Sequence, residues 1–192
     1  MSNKTIIFNS KSKHYNELSN FYGGVEICFM KDRFRTVEIK NLLDSFENCD
    51  KETFIYYLKK FQPEKKWTQL QLNYWIYNNE PIKGILAKLV GNCVKDGPTG
   101  KKRQKIIKEL LNISDIIINP PLNFEQKSEL MLTCLRNKYK IPKYKDLLIS
   151  TGNAVLHEKP MRGKGDDWTY PGNDLLGKLL MKIRDEINLK NN

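Results

Sequence analysis

The sequence predicts an α+β fold that is mainly helical, built as a single domain over residues 1–192 with a small sheet of short strands. Most of its apolar residues recur at three- and four-residue spacing, which is typical of helices that bury one face. Only three short runs, TIIFNS, VEICFM and NAVLHE, have the length and apolar content of strands. With 40% hydrophobic and 10% aromatic residues among 192, the chain can form one well-packed core.

The first half of the chain predicts two strands followed by helices. After TIIFNS and VEICFM, a helix begins near Thr36, a suitable N-cap because its hydroxyl can accept a hydrogen bond from a first-turn amide. Glu38 then falls in the first turn, where the helix dipole favours an acid. Residues 47–80 predict two aromatic-rich helices separated by QPEKKW, and PIKGILAKLVGNCV predicts another. The apolar side of the helix after Thr36 consists of Ile39, Leu42, Leu43 and Phe46.

The second half predicts a basic turn, helices and a short strand. The turn is KDGPTGKKRQK, and it is not a phosphate-binding P-loop, because Lys95 and Lys102 occupy the positions that require Gly and Ser/Thr. The segment NFEQKSELMLTCLRNKY predicts a helix with an inward face of Leu130, Met131, Cys134 and Leu135. The last helix has its polar residues, Arg184 among them, mostly opposite an apolar face of Leu175, Leu176, Leu179, Leu180, Ile183 and Ile187.

Charge is the strongest compositional signal. The chain contains 33 basic and 22 acidic residues, a net charge of +11, which favours polyanionic partners such as phosphates, nucleotides or nucleic acid. An AT-rich genome, which enriches Lys, Asn and Ile, would produce the same excess. The clustered basic residues that we predict to contact nucleic acid, with a solvated turn as the alternative, are Lys101, Lys102, Arg103 and Lys105.

Several classes of protein are disfavoured by the sequence. No apolar run reaches the ~18 residues of a membrane span, and the N-terminal apolar stretch is too short for a signal peptide. We therefore expect a cytoplasmic protein, in the host cytoplasm if the source is viral, without membrane contact. The four cysteines form no Cys-x-x-Cys pair, and His14 and His157 stand alone, so we expect neither a metal nor a cofactor.

The stretch GKGDDWTYPGND, residues 163–174, concentrates chemistry just before the last helix. Glycines allow the backbone to approach a ligand closely, and Trp168 and Tyr170 offer flat faces for stacking. Either Asp166 or Asp167 can take part in proton transfer. A tight turn with incidental aromatic residues is an equally good interpretation of this stretch by itself.

Three motifs in the same order resemble a known family. ELSNFY resembles the Phe/Leu-Ser-Asn-Phe element of the NADAR family, the YbiA-like N-glycosidases, and RFRTVEI resembles its aromatic-Pro-Ser/Thr-Val-Glu-His segment. DWTYPGNDLLGKLLMKIRDEI is similar to its closing signature, and NFEQKSELMLTCLRNKY is similar to the preceding helix. The resemblance spans about residues 5–187, with the aromatic-rich stretch at 47–80 as an insertion. It implies a YbiA-like fold.

The resemblance also implies site residues. Cleavage of a ribose–nitrogen bond needs a carboxylate facing the sugar and an acid for the leaving nitrogen, roles that fall to Glu38 and to Asp166 or Asp167. Of the family pattern Glu-His-x-x-Gln-x-x-Lys, only Glu38 is present here, and Ile39, Leu42 and Ser45 occupy the other positions. The residues expected to bind substrate are Ser19, Asn20, Phe21, Trp168, Tyr170, Gly172 and Asp174.

The expected activity is removal of ADP-ribose from a modified nucleobase, guanine, in DNA. This would reverse the action of an ADP-ribosyltransferase. One alternative is hydrolysis of a phosphorylated ribosylamine metabolite of the riboflavin-pathway type. Another is a catalytically inactive module that binds ADP-ribose or nucleic acid.

Overall fold

A computed structural model describes residues 4–76, 79–161 and 163–191. The fold is mainly helical with one small sheet, as predicted. Its internal contacts define two compact units. The terminal unit comprises the described residues up to Gly23 together with those from Phe124 onward, and the central unit comprises Gly24–Asn123. That both units belong to one domain stays a prediction.

The sheet of the terminal unit consists of two parallel strands, β1 (Thr5–Phe8) and β2 (Val155–Glu158). Both were predicted as strands from their apolar runs. Phe8 pairs with Glu158 at the carboxyl end, and Ile6 pairs with Leu156. Ile6, Phe8 and Leu156 are buried, whereas Ile7 is exposed, as the two-residue period of a strand requires.

The terminal unit also contains three α-helices. The helices α7 (Phe124–Lys138) and α8 (Pro142–Ser150) precede β2 in sequence, and α9 (Leu175–Asn191) follows it. The predicted inward face of α7 is confirmed for Met131, Cys134 and Leu135, with Leu132 buried where Leu130 was expected. Most of the predicted apolar face of α9 is buried. Arg184, predicted among the polar residues opposite this face, is also buried. Its Nη1 donates to the Thr151 hydroxyl at 2.7 Å and to the Ala154 carbonyl at 2.9 Å, which offsets the cost of burying the guanidinium.

The central unit contains six α-helices among its described residues. They are α1 (Val25–Lys31), α2 (Val37–Ser45), α3 (Lys51–Phe61), α4 (Gln69–Ile76), α5 (Asn79–Gly91) and α6 (Pro98–Leu111). The predicted pair of helices after residue 47, with a break near QPEKKW, is therefore present as α3 and α4. The buried residues that form the core of this unit include Phe34, Ile39, Leu43, Phe46, Phe54, Leu58, Phe61, Ile82, Leu86, Val90 and Ile107.

The predicted second strand is wrong, because VEICFM forms helix α1. Gly24, with a positive φ of 73°, precedes this helix, and its Val25, Ile27 and Phe29 are all buried. These three residues recur at the two-residue spacing of a strand, and a helix of seven residues buried on several sides leaves no helical period to outweigh that pattern. Glu26 is the buried acid of this helix.

The predicted basic turn is also wrong in part, because the helix α6 begins within it at Pro98. Proline suits the first turn of a helix, where its missing N–H would have no intrahelical partner. Gly100 is required there, since a Cβ at this position would lie 1.7 Å from the Lys95 carbonyl oxygen. The Gly-Pro-Thr-Gly sequence thus starts a helix rather than a loop.

Thr36 precedes α2 as predicted, but its hydroxyl does not cap the first turn. Its Oγ1 instead accepts a hydrogen bond from the Ile117 N–H at 2.8 Å. The Arg35 N–H also donates to the Ile117 carbonyl at 2.9 Å, beside an antiparallel bridge between Phe34 and Ile118. The start of α2 is therefore fixed by a distant segment of the same unit.

Candidate functional site

A buried hydrogen bond joins the ELSNFY motif to the carboxyl end of β2. The Ser19 hydroxyl donates to Glu158 Oε1 at 2.9 Å. Ser19 is fully buried and Glu158 is 8% exposed. Glu158 ends the strand that pairs with β1, so the sheet fixes its backbone, and the Ser19 hydroxyl holds its carboxylate. Ser19 thus meets a buried acid that the sequence did not single out.

Lys138, at the end of α7, holds the loop that carries Ser19. Its Nζ donates to the backbone carbonyls of Glu17 at 2.6 Å, Leu18 at 3.3 Å and Ser19 at 2.8 Å. The side chain is only 1% exposed, and a Cβ on Gly23 would lie 2.6 Å from its Cγ. Gly23 therefore makes room for the lysine. We regard Lys138 as a positioning residue for the Ser19 loop.

His157 and Asp174 form the second polar pair of the terminal unit. His157 Nδ1 lies 2.6 Å from Asp174 Oδ2, and the other oxygen, Oδ1, accepts from the Glu158 N–H at 3.4 Å. Because a carboxylate only accepts, Nδ1 is the donor, which leaves Nε2 as the ring nitrogen available to a ligand. The Tyr170 ring packs on His157 with 4.4 Å between centroids.

The first turn of α9 is shaped around this pair. A Cβ on Gly177 would lie 2.2 Å from the Leu156 carbonyl oxygen and 2.9 Å from both carboxylate oxygens of Asp174. Any larger residue would displace the strand or the acid. Asp174 itself has a positive φ of 51° and is 5% exposed. The Asp-Leu-Leu-Gly sequence therefore specifies a close approach of α9 to β2.

The predicted catalytic aspartates shape the loop at 163–174. Asp166 Oδ1 accepts from the Trp168 N–H at 3.0 Å, the Thr169 N–H at 3.0 Å and the Thr169 hydroxyl at 2.8 Å. Asp167 Oδ1 accepts from the Asn173 side-chain amide at 2.8 Å. Both aspartates have exposed side chains, so these bonds do not bury them. Their part in proton transfer stays a prediction.

Two glycines allow the backbone of the loop at 163–174 to pack closely against itself. A Cβ on Gly172 would lie 2.1 Å from the Asp166 carbonyl oxygen, and one on Gly165 would lie 2.3 Å from the Gly172 nitrogen. Gly172 therefore serves backbone packing within the loop, whereas the resemblance assigned it to substrate binding. The loop as a whole is a tight turn that also presents two aromatic side chains.

The predicted aromatic and amide residues differ in exposure. Tyr170 is 45% exposed, and its N–H donates to the Glu158 carbonyl at 2.8 Å. Trp168, Asn20 and Phe21 are half-buried. The terminal unit therefore brings together Ser19, Tyr170 and Asp174 around His157 and Glu158, and leaves the Tyr170 ring accessible.

Glu38 lies in the central unit, in the first turn of α2 as predicted. Its side chain is exposed and makes no hydrogen bond or ion pair with any described residue. Asp166 and Asp167 belong to the terminal unit. The pairing of Glu38 with one of these aspartates stays a prediction.

The four basic residues predicted to contact nucleic acid lie on α6 and are not equivalent. Lys101, Lys102 and Lys105 are exposed. Arg103 is 8% exposed, and its Nη1 donates to the Phe61 carbonyl while its buried Nε has no partner in the described structure. Burial lowers the pKa of Arg103 from its usual value, partly offset by Glu64. Of the four residues predicted to contact nucleic acid, only the three lysines are therefore exposed enough to do so.

Comparison of this chain with family models, with curated proteins and with solved structures gave no match. The resemblance described above is thus carried by its motifs alone. Within residues 4–76, 79–161 and 163–191, no three or more His, Cys, Asp or Glu side chains are grouped to hold a metal ion. No helix in that part of the chain has the length and apolar content to cross a membrane.

Sequence reasoning missed three polar residues of the terminal unit: Lys138, His157 and Glu158. The strand VLHE carried a signal for two of them, since alternation puts Leu156 and Glu158 on one side and His157 on the other. A buried acid at a strand end and a histidine beside an aspartate are groups able to transfer protons. Lys138 had no such signal, because it looks like an ordinary C-terminal helix cation.

Proposed function

We propose that this protein is an N-glycosidase, a hydrolase that cleaves the bond between ribose and a base nitrogen. Its most suitable substrate is an ADP-ribosylated nucleobase, guanine, in DNA. The proposal is supported by one observation above all. The two most distant motifs of the resemblance, ELSNFY and DWTYPGND, meet at β2 through the Ser19–Glu158 and Asp174–His157 hydrogen bonds.

The chemistry that this reaction requires is matched by the residues available. Departure of the base leaves positive charge on the sugar, which a carboxylate stabilises, and the leaving nitrogen needs a proton. Glu38 is the carboxylate that we assign to the sugar. Asp166 or Asp167 is the predicted acid. His157 is a further group for proton transfer: Asp174 accepts from its Nδ1 and stabilises the imidazolium, whose Nε2–H can give its proton to the leaving nitrogen.

Binding is assigned to the aromatic residues and to the charge. Trp168 and Tyr170 are placed in the same loop and offer faces on which a base can stack. Ser19, Asn20 and Phe21 would contact the ribose or phosphates. The net charge of +11 favours DNA as the carrier of the modified base. In this proposal the protein acts in the cytoplasm and reverses an ADP-ribosyltransferase.

The test is incubation of the purified protein with ADP-ribosylated DNA and detection of free ADP-ribose by mass spectrometry. We expect ADP-ribose and unmodified DNA to appear together. A parallel reaction with phosphorylated ribosylamines identifies the metabolite activity if only that arm gives product. Salt-dependent binding of DNA without product in either arm contradicts the enzymatic proposal and favours a binding module.

A further inference from the structure

A cleft in the central unit lies between α3 and α6. It has a volume of about 510 Å³, within the range of small-molecule sites. Its apolar lining comes from Pro63, Ile106 and Leu110, and the Tyr56 ring forms part of its wall. None of these residues belongs to the candidate site of the terminal unit.

Tyr56 is an exposed aromatic residue on a helix whose other large apolar side chains are mostly buried. It is 48% exposed, whereas Phe54, Leu58 and Phe61 of the same helix are at most 1% exposed. An edge-on contact with Tyr57, at 5.1 Å between centroids, supports its ring. An exposed, supported aromatic ring over an apolar floor is suited to stacking on a nucleobase.

Two lysines of α3 line the cleft. Lys59 and Lys60 line it from α3, and Lys60 Nζ lies 5.6 Å from the centre of the Tyr56 ring. Lys59 and Lys60 form no ion pair with any residue that the structure describes. The positive charge near Tyr56 is therefore partly available to a bound anion.

Two acids offset some of this charge. Glu64 pairs with Lys102 at 3.0 Å, and Glu109, which also lines the cleft, lies 3.9 Å from Lys105. Exposed pairs of this kind contribute at most about 1 kcal/mol, so a phosphate can compete for the lysines. The lysines on the two helices outnumber these acids, and the surplus favours a polyanion over an acidic side chain.

We propose that this cleft and its lysines bind single-stranded nucleic acid. One base stacks on Tyr56 over the floor of Ile106 and Leu110, and the flanking phosphates lie at Lys59 and Lys60. An unpaired strand fits because a base inside a duplex cannot turn its face to a protein ring. The inference rests on the proposed function for its purpose, namely holding the strand that carries the modified base.

Binding is measured by fluorescence anisotropy with labelled, unmodified oligonucleotides: single-stranded DNA, single-stranded RNA and duplex DNA of equal length. We expect both single strands, or one of them, to bind more tightly than the duplex. Equal or tighter binding of the duplex overturns the proposal. Competition by polyglutamate as strong as that by the oligonucleotide also overturns it, in favour of an acidic peptide.

Stacking is tested with Tyr56→Ala. We expect single-strand affinity to fall by about 5- to 150-fold, the range for one stacked base, and Tyr56→Phe to keep most of it. Phe124→Ala is the matched control, because Phe124 is similarly exposed, at 46%, but lies on α7. Wild-type affinity in Tyr56→Ala overturns the proposal.

The phosphate contacts are tested with Lys59→Ser/Lys60→Ser. The slope of log affinity against log salt should decrease by about 0.7 for each lost contact with a single strand. Lys182→Ser/Lys190→Ser removes the same charge from α9 and should leave the slope unchanged. If the two double variants change the slope equally, binding depends on the net charge of the protein and not on the cleft, which overturns the proposal.

Failure of the two proposals can be told apart. Oligonucleotide binding that depends on Tyr56, without release of ADP-ribose, supports the nucleic-acid site in the cleft and contradicts the glycosidase proposal. If the protein releases ADP-ribose, but its Tyr56 and lysine variants bind oligonucleotides as tightly as the wild type, the glycosidase proposal is supported. The nucleic-acid site in the cleft is then contradicted.

Discussion

Candidate residues in the terminal unit and in the central unit differ in what holds them. Ser19 and Asp174 are buried and hydrogen-bonded to residues of β2. The side chains of Glu38 and Lys101 are exposed and make no hydrogen bond or ion pair with any described residue. Substitutions of Ser19 or Asp174 should therefore change stability and function together, whereas those at Glu38 and Lys101 should change function alone.

A large effect on stability is expected at Lys138, since its loss leaves two buried carbonyls and one half-buried carbonyl without their donor. Lys138→Met keeps most of the stem and removes the ammonium. We expect the free energy of unfolding to fall by about 3 kcal/mol, the upper range for hydrogen bonds to one charged group. Chemical denaturation monitored by circular dichroism measures this loss.

The matched control for this prediction is Lys140→Met, an exposed lysine two residues further along the chain. It should change the free energy of unfolding by less than about 0.5 kcal/mol, as is usual at surface sites. A similarly small loss in Lys138→Met would show that the Ser19 loop does not depend on the lysine, and would remove the contrast between the units.

Glu38→Gln tests the expectation that an exposed candidate residue of the central unit affects function and not stability. The exposed side chain has no partner in the described structure, so stability should hardly change. Turnover on ADP-ribosylated DNA should fall by at least about 100-fold, the low end for removal of a general acid–base group. The control is Glu52→Gln, an exposed acid in the first turn of α3. Near-normal turnover in Glu38→Gln rules out its catalytic assignment.

Glu26 is an acid of the central unit that the fold does bury. Burial raises the pKa of Glu26 from 4.5 to about 7, and the charge of Lys88 offsets part of the rise. The folded state therefore holds the proton more tightly than the unfolded state, and this stabilisation is complete below pH 4.5. It is lost as the pH rises through 7.

The expected consequence is a fall of about 2 kcal/mol in the free energy of unfolding between about pH 5 and 7.5. Glu26→Gln has no proton to lose and should show a flatter profile over the same window. Denaturation curves of both proteins at several pH values measure the difference. Parallel profiles would mean that Glu26 is not the group responsible.

The fold could be predicted where the apolar pattern is long. The faces of α2, α7 and α9 follow helical spacing over several turns, and the two strands β1 and β2 have short apolar runs. The pattern was insufficient for α1, whose seven residues are buried on several sides. It was also misleading at Pro98, because a Gly-Pro-Thr-Gly sequence starts a helix as readily as it forms a turn.

The candidate site could be predicted only in part, for a different reason. Motif order identified Ser19, Tyr170 and Asp174, but their partners come from segments far away in sequence. The hydrogen bond of Ser19 to Glu158 spans 139 residues. Similarly, the cluster of four basic residues did not reveal that Arg103 is buried and donates to the Phe61 carbonyl at the end of α3, since burial depends on how α6 packs.

Trp168 tests whether the loop of the terminal unit belongs to the fold or to the site. It is half-buried, which is compatible with either role. A core tryptophan replaced by alanine typically costs about 3–5 kcal/mol of stability. A stacking tryptophan costs little stability but about 1–3 kcal/mol of binding per base. We expect the second result for Trp168→Ala, measured as the free energy of unfolding and as ADP-ribose affinity by calorimetry.

Trp67→Ala supplies the control, because Trp67 is also half-buried but packs on the core of the central unit. It should lower stability and leave ADP-ribose affinity unchanged, the reverse of the pattern expected at Trp168. If Trp168→Ala instead loses stability with its affinity intact, the loop belongs to the fold. The aromatic face proposed for the base would then reduce to Tyr170, whose ring already packs on His157.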